Sequence, residues 1–260
     1  MSDWFWKKLS YLAGLAAIAT FFGLVIFSAN LEIKDLDLWL HLATGQHILQ
    51  HHTIPATDIF SCTIAGQPWI NHEWLFQVVV YTIYHLAGAE GLINFQVFIV
   101  TITFLILLWM GYNRDKQFGP IFILLLVLLV YQTRFTIRPD LFSLLFIVMF
   151  TYVLSLRLNR KSSLWILFIL QVLWSNIHGF FIFGPLLVFI GLVSEWTKRH
   201  IPLPLEWNKM GRLTDLEYKH LKQILIIVIF ASVINPYGVQ GAFYPLGVLH
   251  SISGESKIFF

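Results

Sequence analysis

Charge is scarce in this sequence. Lys, Arg, Asp and Glu make up 12% of its 260 residues, against about 25% in an ordinary soluble domain, which excludes a globule solvated mainly by water. Cysteine is nearly missing too, and a lone Cys62 rules out an internal disulfide. No glycine-rich phosphate loop, dinucleotide fingerprint or G-x-S-x-G elbow occurs. His72-Glu73-Trp74 begins like a zincin helix, but the second histidine of H-E-x-x-H is replaced by Phe76, which excludes that zinc site. A haem held by two histidines needs a facing pair, and only His85 and His178 lie inside apolar runs. An isoelectric point near 8.9 reports basic loops of a membrane protein and calls for no nucleic acid.

What remains is apolar. Hydrophobic residues make up 57% of the chain, with a mean hydropathy of +0.73. Ser10 to Ala29, SYLAGLAAIATFFGLVIFSA, has the roughly 20 residues that cross a bilayer. It is too long for a signal-peptide core and lacks a clean A-x-A site, so it reads as a retained anchor. Further apolar segments cover about 74–87, 91–111, 118–133, 141–156, 163–177, 179–196 and 223–234. The expectation is a single all-α module over 1–260: a polytopic transmembrane bundle of about seven or eight spans. Surface helices are expected in its first external loop, 30–73.

The basic residues sort these segments. Lys7 and Lys8, Arg114 and Lys116, and Arg157, Arg160 and Lys161 form three short clusters. The connection 197–222 adds Lys198, Arg199, Lys209, Arg212, Lys219 and Lys222. The positive-inside rule puts all of them, and the N-terminus, in the cytoplasm. This works only if 74–87, short and headed by His72 and Glu73, is interfacial or re-entrant; a crossing there would invert everything downstream.

Every unusual polar motif then falls on the outer face: DLD (35–37), NHEW (71–74), TRFTIRPD (133–140), NIHG (176–179) and NPYG (235–238). Polar groups at membrane depth are costly and mark function. On a helix starting near Leu36, Asp37, His41 and Thr44 form one stripe and Leu38, Leu42 and Leu49 the next. That pattern suits a helix lying on the membrane surface, with Asp35 as a candidate N-cap. Trp39 and Trp69 fit an interfacial aromatic belt. Arg138 precedes Pro139 at the outer start of a span, and its planar fork matches a phosphate; a snorkelling anchor is the competing role. Arg134 is a second candidate. Asn176, His178 and Gly179 mark a helix break, and NPYG reads first as a turn.

Taken together, DLDLWLHLATGQHILQHHTIPATDIFSCTIAGQPWINHEWL, IRPDLFSLL and WSNIHGFF resemble bacterial multi-span proteins related to the GT-C glycosyltransferases. That group includes protein mannosyltransferases, aminoarabinose transferases and oligosaccharyltransferases. The resemblance runs over about 5–245 and is strongest over 35–76. It implies an enzyme of the bacterial inner membrane whose donor is a polyprenyl-phosphate-linked sugar. It also implies an acidic residue in the first external loop, a position matched by Asp37, with Asp35 as the preceding acid.

By that resemblance Asp37 and Asp35 are the catalytic candidates, as general base or as holders of a divalent cation such as Mg or Mn. Arg138, His178 and Arg134 would contact the donor phosphate. Glu73 would complete a metal set with the two aspartates, and His41, His72 and Asn176 would line the site. Such enzymes carry more spans and often an extracytoplasmic C-terminal domain, whereas this sequence stops at SISGESKIFF, so the front module is what it is expected to hold. The non-enzymatic alternative is a GT-C-like lipid-binding or scaffolding subunit with a protein partner in a larger membrane complex. A transporter is third, since few charges are placed to line a path.

Overall fold

Backbone amides in hydrocarbon have no water to bond, so apolar runs of this length close their hydrogen bonds within helices. The structure, a computed structural model, describes residues 3–63, 65–113, 117–202 and 204–254. Arg114 and Lys116, and the last six residues of SISGESKIFF, lie outside the described residues. The α-helices are α1 (Asp3–Ala29), α2 (Asp37–His51), α3 (Trp74–Gly111), α4 (Phe118–Tyr131), α5 (Pro139–Leu156), α6 (Ser162–Ile177), α7 (Phe183–His200), α8 (Asp215–Ser232) and α9 (Gly238–Gly254). Among the described residues there is no strand, only an isolated bridge between Thr57 and Pro68.

Four stretches are long and apolar enough to cross a membrane: Trp4–Ala29, Trp74–Gly111, Pro139–Leu156 and Gly179–His200. Two further apolar helices, Phe118–Arg134 and Ser162–Ile177, are shorter. The first turns of α8 carry Asp215, Glu217, Lys219 and Lys222. On length and composition alone the expected seven or eight spans are therefore not reached.

Gly88 decides the path of α3. Its φ of 63° and ψ of −160° belong to a region open to glycine and few other residues, and there the helix breaks in two. The second half runs antiparallel to α1. Gln96 donates to the Ala29 carbonyl at 2.7 Å, Phe104 packs on Phe21, and Gln117 donates to the Ser10 carbonyl at 2.7 Å. The first half, 74–87, lies along α2 instead, with Trp39 against Tyr84 and His41 against Phe76.

Two buried clusters share α5 as their common wall. One joins α1, the second half of α3 and α4 through Phe21, Val25, Phe104 and Leu128, with Leu141 and Leu145 of α5. The other joins α2, the first half of α3, α6 and α8 around Trp174, with Phe146, Phe150 and Val153 of α5. Apolar side chains also cover the outside, including Phe27, Phe122, Val130, Ile226 and Phe230. So large an apolar coat fits lipid rather than water. Exposed Trp4, Trp6, Trp109, Trp165, Trp196 and Trp207 all belong to the end that carries the lysines and arginines, a belt of the interfacial kind. There the connection between α7 and α8 is held by buried Glu195, which bonds Arg199 at 2.8 Å and the Leu213 amide at 3.2 Å. A Thr214–Glu217 capping box then starts α8.

The surface stripes of α2 differ from expectation. His41 and Thr44 are buried with Leu38, Leu42 and Ile48, while Leu36, Trp39, Leu40 and Leu49 face outward. The reason is Gly45, whose missing side chain lets the Gln77 carbonyl and Tyr81 come into contact with the helix. Gly45→Ala is expected to force α2 off that surface and cost about 1–3 kcal/mol, the usual penalty of overpacking. Gly23→Ala, which meets nothing within 4 Å, serves as its control, and thermal melting of the detergent-solubilised protein compares the two.

Candidate functional site

Pro139 has no amide hydrogen to lose and begins α5, leaving Arg138 as an extended N-cap residue (φ −127°, ψ 159°). That backbone turns the guanidinium toward the chain leaving α1. Arg138 Nε bonds Asp35 Oδ2, and Nη2 reaches Asp35 Oδ1 at 2.9 Å and Asp37 Oδ2 at 3.3 Å. Asp35 also accepts the Asp37 amide at 3.1 Å, so it closes the first turn of α2 from one residue before the N-cap, which is Leu36. The two acids of DLD are therefore unlike. The Asp35 side chain is 4% exposed and that of Asp37 is 69% exposed. Hydrogen bonding from Arg138 holds the Asp35 carboxyl below its usual range and outweighs burial, while the same pairing raises Arg138.

Beside this clasp lies a cleft of about 730 Å³. Asp37, His41, Glu73, Arg134, Arg138 and His178 line it, which brings together six side chains spread over 142 positions of sequence. Three lining residues were missed by the sequence reading: Tyr131, Asp140 and Ser143. Asp140 directly follows the Arg-Pro pair, and Ser143 is a lone hydroxyl one turn into an apolar helix; each was a readable signal. Leu144, Ile147, Phe180 and Phe183 form an apolar wall. Asp140 Oδ1 and His41 Nδ1 are buried there without a hydrogen-bond partner. Arg134 has no carboxylate within ion-pair distance among the described residues, so it is the free cation of the cleft, whereas Arg138 is committed to the aspartates.

On the far side of the cleft runs a hydrogen-bonded chain. The Trp174 indole donates to Ser143 Oγ at 2.8 Å, leaving the Ser143 hydroxyl proton for His178 Nδ1 at 2.8 Å. His178 Nε2 then points to Glu73 Oε1, 3.9 Å away, and His72 Nε2 lies 3.5 Å from the same oxygen. Gly179 lies beside the His72 ring, at ordinary contact distance from its Nε2. Burial sets the protonation states. It raises Glu73 to about 7, helped by Asp140 and Asp37, and it lowers His41 and His178 each to about 4. His72 is lowered for the same reason.

Several expectations are corrected here. Asn176 does not line the cleft: its side chain accepts the Trp74 indole at 2.8 Å and donates to the Ile234 carbonyl at 2.8 Å, stapling α3, α6 and the NPYG turn together. His72 sits behind Glu73, its ring tilted against Tyr244 with centroids 4.4 Å apart. Asp35 does not line the cleft: its side chain is buried against Arg138. The set Asp35, Asp37 and Glu73 does not form a metal site: among the described residues no three His, Cys, Asp or Glu side chains could share an ion, because Arg138 already occupies the Asp35 carboxylate. His85 is exposed and stacked on Tyr81, so it offers His178 no facing haem partner. NPYG is a turn, as expected, and carries a further contact: the Tyr237 hydroxyl accepts the Asn71 amide at 3.0 Å.

Comparison of the chain with family models, curated proteins and solved structures finds no match.

Two experiments test the reading of these charges. Asp35→Ala should destabilise the protein by about 2 kcal/mol, the scale of a charged hydrogen bond, whereas Asp37→Asn should be nearly neutral. A double-mutant cycle with Arg138→Ala should show strong coupling for Asp35 only. Glu73, raised in the folded state, binds a proton there that the unfolded chain has released, so its contribution to stability falls as pH rises from 4.5 to about 7. His41 and His178, lowered, contribute stability that is gained as pH rises from about 4 to 6.5. Melting of Glu73→Gln across that range should show its advantage over the parent growing up to about pH 7 and then levelling.

Proposed function

We propose that this chain is a membrane glycosyltransferase of the GT-C type, moving a sugar from a polyprenyl phosphate to an acceptor on the outer face of the bacterial inner membrane. One observation carries the reading: an exposed carboxylate, Asp37, an arginine free of ion-pair partners, Arg134, and an apolar wall on α5 and α7 share a single cleft. Lipid-linked phosphates need that combination of cation and apolar groove. In the reaction, Asp37 takes the proton of an acceptor hydroxyl as its oxygen bonds to the sugar's anomeric carbon. The bond from that carbon to the phosphate oxygen breaks, and its electron pair leaves with the polyprenyl phosphate. Arg134 meets the negative charge that grows on the departing phosphate, and Arg138 keeps Asp37 aimed at the cleft.

The arrangement of helices supports a seven-span topology beneath this site. The spans are α1, the second half of α3, α4, α5, α6, α7 and α8, with 74–87 along the interface. The connections 112–117, 157–161 and 201–214 then fall on one side with the basic residues, and DLD, TIRPD, NIHG and NPYG on the other, as the positive-inside rule asks.

The non-catalytic alternative, a lipid-binding or scaffolding subunit, is favoured by the reach of Arg138 to both aspartates, since neutralised acids serve structure well. The two readings separate on Asp37→Asn. Loss of a general base costs about 10²–10⁴-fold in rate, so transfer from a polyprenyl-phosphate sugar in membranes should collapse while melting stays unchanged. Retained transfer removes Asp37 from the mechanism. Native mass spectrometry should find a polyprenyl-phosphate mass on the parent and not on Arg134→Ala. If neither carries it and a stoichiometric protein partner does copurify, the scaffold reading stands instead.

A further inference from the structure

At the opposite end of α6 and α8 from the cleft, the two helices enclose a groove of about 790 Å³. They run in the same direction. Lys161 and Lys219 stand at the groove's mouth, and beyond its far end Gln171 bonds Ser232 at 2.8 Å and Asn176 bonds the Ile234 carbonyl. The walls are apolar, with Leu164, Trp165 and Phe168 on α6 facing Ile226, Ile227 and Phe230 on α8. From Leu216 to Phe230 the wall is about 21 Å long at 1.5 Å per residue. That exceeds half of a hydrocarbon core of about 30 Å, the depth of one leaflet.

The charges at the mouth are uncompensated. Nearby Arg199 is taken by Glu195 and Asp215, Arg157 by the Tyr152 hydroxyl and Lys198 by the Gly211 carbonyl. Neither Lys161 nor Lys219 has an ion-pair partner among the described residues. Buried His220 spends its Nδ1 on the Leu158 carbonyl at 2.9 Å and turns its other edge to the groove.

We propose that this groove binds an anionic phospholipid, with its phosphate between Lys161 and Lys219 and one acyl chain laid along Trp165, Phe168 and Phe230. Charge complementarity selects this occupant. A zwitterionic lipid would set a second cation beside two lysines, and a partner helix would have to bring an acid to the membrane surface. The site is separate from the proposed donor site, which lies at the other end of α6, some 16 residues or about 24 Å away.

The test uses the full chain in detergent micelles doped with phosphatidylglycerol or phosphatidylcholine brominated on one acyl chain, a quencher of nearby indoles. The Trp165 signal is the difference between the parent and Trp165→Phe. Phosphatidylglycerol should quench that signal at a severalfold lower mole fraction than phosphatidylcholine. Lys161→Gln and Lys219→Gln, both at exposed positions, should each reduce the preference about fivefold, with melting unchanged. Equal quenching by the two lipids overturns the proposal, because the groove is then ordinary lipid-facing surface. Absence of Trp165 quenching by either lipid overturns it too, because something other than lipid then fills the groove.

Discussion

The clasp of Arg138 on Asp35 is the contact on which the site end of the molecule depends. A carboxylate buried this deeply would cost several kcal/mol without a partner, and a forked guanidinium satisfies both of its oxygens at once. Three pieces of chain meet there: the irregular exit from α1, the first turn of α2 and the start of α5. Because α5 is the wall shared by both apolar clusters, the clasp also ties the surface helices to the bundle. Proline at the head of α5 makes it possible, since the extended backbone before a proline aims the arginine across the gap rather than along its own helix.

The two ends of the bundle are built on different physics. At the site end, polar side chains are buried and spend themselves on one another, as in the chain from Trp174 through Ser143 to His178. Trp74, Asn71, Asn176 and Tyr237 staple the loops over it. At the other end, the charges are mostly exposed lysines and arginines above a belt of tryptophans, and order comes from one buried acid, Glu195, and a capping box. A bilayer rewards this division. Basic side chains reach the headgroups on flexible stems, while polar groups buried at the other end must find their partners within the protein.

Burial also sets which groups in the cleft carry charge near neutrality. The two histidines that line it, His41 and His178, are kept neutral, and Glu73 is poised to gain or lose a proton. Arg138, paired with Asp35, is held more firmly charged. The cleft therefore sets an exposed carboxylate held by Arg138, an arginine with no ion-pair partner among the described residues and one group able to hold a proton around a single space.

Much of this was legible in the sequence. Low charge and long apolar runs determine an all-helical membrane-type chain, because backbone groups in hydrocarbon must pair within a helix. The segregation of basic residues determines which connections lie together, and Pro139 marks the head of α5. The polar motifs, being expensive where they stand, named six of the cleft's side chains: Asp37, His41, Glu73, Arg134, Arg138 and His178. Only the tertiary structure could divide Asp35 from Asp37. One residue apart, they differ in whether an arginine a hundred positions away buries them. The same holds for Asn176, which looks like a site residue in sequence and proves to be a staple, and for Ser143, which looks inert and bonds a cleft histidine. Composition and periodicity report how a residue is solvated on average, whereas partners across the bundle decide its charge, its exposure and so its use.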